Sequence, residues 1–298
     1  MPEPGIRGLL LPVTTPFDPV TGDTAPVHFR ENLRRWATQG VDGFVLFGST
    51  GEGVLLDEEE KRGLVAYARD VAPGLTLVAG AGAESTRQVV RLAIAMADAG
   101  ADAVIVQPPS YYGGTLPPEA LRDHFQAIAD ASPVPVILYN IPKYTHVTME
   151  AGLVQELARH ENVVGIKDSS GDQKRLAEFT EVCAGACAVF VGSGTLMFAG
   201  LELGAAGGIL AVGLLAPEIC ARILQLHGAD RKPEAGRLQE RIAPVHREIV
   251  TRLGVPGIKA ALDLLGYAGG APRSPLRPLR SRERDVVTTT LRQTGLIP

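Results

Sequence analysis

The stretches GVDGFVLFG (residues 40–48) and GADAVIVQP (residues 100–108) share one pattern: a glycine turn, a short apolar run, then a polar break. A run that short, bounded by turn residues, suits a strand buried on both faces, as in a parallel sheet. Working outward, comparable runs fall at 8–14, 43–47, 76–79, 103–106, 134–139, 163–167, 188–191 and 208–212. Segments of helical period lie between them, among them 26–38, 57–70, 85–99, 117–131 and 148–159. Asp57 and Glu60 have capping-box spacing, Ser85 precedes a periodic run, and Pro117 and Pro118 suit a first helical turn. Eight such units ending near residue 228, with no sign of an edge strand, predict an α/β protein of the (β/α)8 TIM-barrel class. The chain is then expected to divide into a barrel over 1–228 and a helical extension over 229–298, with helices at 231–252, 256–265 and 280–294.

Composition sets the outer bounds. The 298 residues are 45% hydrophobic and 21% charged, enough to bury a large core. A net charge of -4, with charges scattered along the chain, argues against a nucleic-acid footprint or a basic membrane face. The most apolar stretch, 205–216, is broken by glycine and is shorter than the ~20 residues a membrane span needs. The opening MPEPGIRGLLLPVTTPF has one Arg before a short apolar run that Pro12 interrupts, so no secretory leader and a cytoplasmic location are expected. Cys183, Cys187 and Cys220 read as reduced thiols. The six histidines show no metal-ligand spacing and read mostly as surface or capping residues, so no metal is expected.

In a barrel of this class the reactive residues stand where strands end. Four ends carry chemistry: GSTGE (48–52), QPPSYYGG (107–114), LYNIPKYT (138–145) and GIKDSSGD (165–172). Lys167 is one of only six lysines and closes an apolar strand. Burial there favours the free amine, which attacks carbonyl carbons; an ion pair with Asp168 or Asp172 is the structural alternative. Ser49 and Thr50 sit between glycines that let backbone amides approach a carboxylate, although a plain strand-to-helix turn reads the same. Tyr139 ends an aliphatic strand and is either a proton carrier or a core tyrosine. Tyr111 and Tyr112 are either packing aromatics or part of a relay with Ser49 and Tyr139. FVGSGTLMF (190–198) has the look of a phosphate turn or of an ordinary tight turn.

Taken together, GSTGE, the tyrosine pair, YNIP and GIKD resemble the dihydrodipicolinate synthase and N-acetylneuraminate lyase family of Schiff-base aldolases. The similarity runs from PVTTPF (12–17) to GVPGIKAALDLLGYAGGAPRSPL (254–276). The third loop (83–90), the sixth strand and this C-terminal stretch are most similar to 4-hydroxy-2-oxoglutarate aldolases. The resemblance implies a small 2-oxo acid as substrate, a homotetramer and no cofactor, because the imine itself serves as the electron sink. It also implies that Lys167 forms the imine, Tyr139 shuttles the proton and Ser49 links Tyr139 to Tyr111. Ser49 and Thr50 would hold the carboxylate and Gly192 would face the imine, with Tyr112, Ser169 and Tyr144 as further substrate contacts. One position departs from the family pattern. Dihydrodipicolinate synthases carry an arginine two residues after the YNxP proline, for the second substrate's carboxylate, and Tyr144 stands here beside Lys143. A neutral phenol cannot form a guanidinium's bidentate pair. Outside this family, the rival readings are a phosphate-binding barrel isomerase and a silent barrel that senses a 2-oxo acid.

Overall fold

The computed structural model describes residues 5–298. Residues 1–4, where the stretch read as lacking a leader begins, lie outside that range.

Strands β1 (Gly8–Pro12), β2 (Gly43–Leu46), β3 (Thr76–Gly80), β4 (Ala103–Val106), β5 (Val136–Asn140), β6 (Val163–Asp168), β7 (Ala188–Val191) and β8 (Gly207–Ile209) pair in sequence order. Every pairing is parallel, and β8 returns to β1 to close the barrel. The protein is a (β/α)8 barrel. Helices α1 (Pro26–Ala37), α2 (Glu58–Val71), α3 (Thr86–Asp98) and α4 (Pro118–Ala131) follow the first four strands. A short α5 (Pro142–Thr145), absent from the sequence expectation, precedes α6 (Ala151–Leu157); α7 (Gln173–Val182), α8 (Met197–Glu202) and α9 (Pro217–Gly228) complete the ring. Asp57 and Glu60 form the expected capping box on α2, and Ser85 caps α3. The run at 208–212 yields only a short β8, because the chain enters a 3-10 turn at Ala211–Leu214.

Two-residue periodicity sorts the strand side chains into two cores. Leu10, Val45, Val78, Ile105, Ile137, Tyr139 and Phe190 fill the barrel interior. Their neighbours Leu9, Leu11, Phe44, Leu46, Leu77, Val104, Leu138 and Val191 face outward against the helices. Both sets are apolar, which is why the strands read as unbroken hydrophobic runs.

Beyond α9 the chain forms α10 (Lys232–Val245), a π-helical segment (His246–Leu253), α11 (Gly254–Leu264) and α12 (Ser281–Gln293). The sequence pattern predicts one helix over 231–252, but the structure breaks it at 245. Pro244 lies inside α10 and has no N–H for the ladder, and the wider i→i+5 turns begin two residues later. Two ion pairs fasten this extension to the barrel: buried Lys259 with Glu52 in the loop after β2, and Arg273 with Glu60 in the first turn of α2.

Candidate active site

Strand register builds the centre of the site. Tyr139 on β5 pairs directly with Lys167 on β6, and Lys167 with Phe190 on β7. All three therefore point into the barrel, just above its apolar filling. Lys167 and Tyr139 are each only 4% exposed, and Lys167 Nζ donates to Tyr139 Oη across 3.2 Å. The nitrogen also lies 4.2 Å from the centre of the tyrosine ring. Neither candidate ion pair for Lys167 forms. Asp168, the next residue along the strand, faces the opposite side, where it accepts from Asn140 Nδ2 at 2.7 Å and from Ser170 Oγ at 2.7 Å. Burial raises its carboxyl pKa against the pull of those hydrogen bonds. Asp172 is occupied in capping α7.

Lys167 and Tyr139 open into a cavity of about 480 Å³. Ser49 and Thr50 line it from the β2 end, Ser169 and Gly192 from β6 and β7, and Tyr144 from α5. The GSTGE loop is held in strained backbone: Phe47 and Glu52, at its two ends, both have left-handed φ near 60°. Thr15 Oγ1 donates to Gly51 O at 2.8 Å, and Lys259 grips Glu52. The Ser49 and Thr50 hydroxyls make no hydrogen bond among the described residues and are free for a ligand. Gly192 is dictated by space, since a Cβ there would lie 2.1 Å from Ser169 Oγ and 2.6 Å from Asp168 O.

Tyr111 and Tyr112 are not brought to this cavity within the chain. They are 80% and 67% exposed and stack edge to face on the surface. Glu84 holds the start of their loop, accepting from Ser110 N, Ser110 Oγ and Tyr111 N. The relay expected from Tyr139 through Ser49 to Tyr111 is thus not assembled inside one chain.

What sequence reasoning missed is the far wall, supplied by the π-helical segment and α11. His246, Arg247, Val250, Thr251, Val255 and Ile258 all face the cavity. Their spacing of three to four residues was visible as a helical stripe, but nothing local told which surface it would meet. His246 also corrects the expectation of surface histidines: it is 6% exposed, and Gly194 N donates to its Nδ1 at 3.2 Å. Its Nε2 is then the protonated nitrogen and donates to Ser193 Oγ at 3.3 Å. Burial, then the charges of Arg247 and Lys143, press its pKa down to about 4, so it stays neutral. This histidine takes up the turn at 192–195 that had a phosphate-loop reading. Lys143, the other lysine near the mouth, is tied to Thr251 O at 3.0 Å.

A buried primary amine against a phenol, with free hydroxyls and a glycine-lined wall opposite, can form an imine with a ketone and move protons beside it. Among the described residues no group of three or more His, Cys, Asp or Glu side chains converges on a metal-sized site, and no helix is long and apolar enough to cross a membrane.

Comparison with known proteins agrees with this chemistry. The model of the dihydrodipicolinate synthetase family matches residues 5–294. The chain is 32% identical to a 4-hydroxy-tetrahydrodipicolinate synthase of Methanopyrus kandleri over 98% of each sequence. It is also 32% identical to the probable mitochondrial 4-hydroxy-2-oxoglutarate aldolase of Emericella nidulans, over 92% of this chain and 90% of that one. Among solved structures, the chloride-inhibited dihydrodipicolinate synthase of Acinetobacter baumannii complexed with pyruvate superposes with a TM-score of 0.93. That match has 30% identity and covers 98% of this chain and 100% of the other.

Proposed function

The chain belongs to the dihydrodipicolinate synthetase family and is a carbon–carbon lyase of the Schiff-base aldolase class; we propose that it cleaves 4-hydroxy-2-oxoglutarate to pyruvate and glyoxylate. The observation that carries this reading is the inward pair of Lys167 Nζ and Tyr139 Oη, 3.2 Å apart at the base of the cavity. Lys167 attacks the C2 ketone, water leaves, and a protonated imine forms. Tyr139, having given its proton to the departing water, takes that of the C4 hydroxyl as the C3–C4 bond breaks, and the bond's electron pair moves into the imine to give an enamine. Glyoxylate departs, C3 is protonated, and water releases pyruvate from the lysine. Ser49 and Thr50 hold the 2-oxo acid carboxylate through the hydroxyls that the fold leaves free. Gly192 and Ser169 give the imine room.

Tyr144 supports cleavage over condensation with a second carboxylated substrate. Although the residue is 48% exposed, desolvation, followed by the facing Tyr139, raises its phenol pKa above the ordinary range, so it stays neutral. A condensing enzyme must capture a separate semialdehyde, whereas in cleavage the breaking bond already lies within the molecule tethered to Lys167. The exposed Tyr111–Tyr112 pair suits a contact between subunits, consistent with the homotetramer that the family resemblance implies. The test is pyruvate release from 4-hydroxy-2-oxoglutarate measured beside condensation of pyruvate with aspartate semialdehyde. Release is expected to lead by at least ~10-fold in kcat/KM, about 1.4 kcal/mol of transition-state binding. A ratio of one or below assigns the chain to dihydrodipicolinate synthesis instead.

A further inference from the structure

The Lys167 cavity is lined by three basic side chains, Lys143, Lys167 and Arg247, and by no carboxylate. Two of the three have partners: Lys167 donates to Tyr139, and Lys143 to Thr251 O. Arg247 has none, because no ion pair or hydrogen bond engages its guanidinium among the described residues. The nearest acid in sequence, Glu248, is taken by Arg252 at 2.8 Å.

Backbone geometry explains why Arg247 stands at the mouth. The α-helix ends at Val245, and the π turns that follow carry Arg247 onto the same stripe as Val250, Thr251, Val255 and Ile258. A π-segment inside a longer helix is a common mark of a functional site. The positive field on this wall is also felt by buried His246, whose pKa Arg247 and Lys143 both push down. Tyr144, a neutral phenol, lines the same opening.

Building on the Schiff-base reading above, we propose that Arg247 binds the far anionic group of the substrate, which makes the substrate class 2-oxo acids with a second carboxylate. An unpaired guanidinium presents its N–H donors in a fork that matches a carboxylate bidentately. Ser49 and Thr50 hold the first carboxylate, Lys167 holds the ketone carbon, and Arg247 holds the second from the C-terminal wall. The C-terminal extension then sets specificity and the barrel supplies the chemistry.

The experiment compares two five-carbon probes that differ only at the far end, 2-oxoglutarate and 2-oxopentanoate. Each is titrated against the full-length protein in the presence of borohydride, and the mass gain at Lys167 gives the half-saturating concentration. The native protein is expected to favour 2-oxoglutarate, and Arg247→Gln to reduce that preference by ~10-fold or more, the effect of losing one charge-assisted hydrogen bond. Arg247→Lys, which keeps the charge but not the fork, should restore part of it, and it carries the test if the Gln variant does not fold. A preference that Arg247→Gln leaves unmoved, or no preference in the native protein, overturns the role of Arg247 while the imine chemistry stands. Failure of both probes to label Lys167 overturns the Schiff-base reading and this inference with it.

Discussion

Replacing Lys259 by Met should be among the most damaging single changes outside the cavity, because it splits an ion pair whose side chains are 1% and 0% exposed. Lys259 Nζ lies 2.6 Å from Glu52 Oε1. At an effective dielectric constant near 20, that separation corresponds to about 6 kcal/mol of attraction. Burial still outweighs the attraction and lowers the Lys259 pKa, so the intact pair contributes little net stability. Breaking it is a different matter, because Glu52 is left charged and buried. Its other oxygen keeps only the Arg273 backbone N–H, at 2.8 Å. The expected cost is about 3 to 5 kcal/mol, or roughly 6 to 20 °C in Tm. Glu52 also anchors the loop of Ser49 and Thr50 in left-handed backbone, so the KM for the 2-oxo acid should rise while borohydride still labels Lys167. Urea unfolding of Lys259→Met and of the double variant Glu52→Gln/Lys259→Met gives the measurement. Removing both charges should recover at least about 2 kcal/mol. A single variant within about 1 kcal/mol of native, or a double variant no better than the single, would refute this account of the pair.

Other outcomes follow from the same geometry. Lys167→Ala should abolish turnover and borohydride labelling by pyruvate; an adduct mapping to Lys143 would move the nucleophile. Tyr139→Phe keeps the ring packed but removes the hydroxyl, so turnover should fall by ~10²- to 10⁴-fold while the imine still forms; near-native turnover would return Tyr139 to a packing role. Tyr144→Arg should raise condensation with aspartate semialdehyde relative to cleavage, and an unchanged ratio in steady-state assays would exclude this side chain as the determinant. His246 has a folded pKa of about 4 against an ordinary 6.5, so between those values the unfolded chain binds a proton that the folded one does not. Its contribution is therefore complete above pH 6.5 and is lost as pH falls toward 4, about 3 kcal/mol in all. Unfolding free energies measured across that range should flatten in His246→Asn, leaving the similar slope from His124; an identical profile would show that His246 does not govern it.

Local rules account for much of this protein before any tertiary contact is known. Strand positions were legible because parallel strands are apolar on both faces, and helix starts because Asp57 and Ser85 satisfy the first orphan amides with their own side chains. The same rules, applied more strictly, would have rejected the Lys167–Asp168 pair, since adjacent strand residues face opposite sides. They would also have shown Tyr139 and Lys167 sharing a side, given the register.

Tertiary structure alone decided the rest. The helical period at 246–258 marks a face without naming its partner, so the approach of His246 and Arg247 to a lysine about 80 residues earlier cannot be read from spacing. Tyr111 shows the opposite case. It follows a strand end closely enough in sequence to be placed at the mouth, yet three hydrogen bonds to Glu84 hold its loop start where the tyrosine faces outward. Glu52 and Lys259, more than 200 residues apart, had no sequence signature as a pair. Periodicity and capping are set by neighbours within a few residues, whereas the closing of a cavity depends on which distant surfaces the chain packs together.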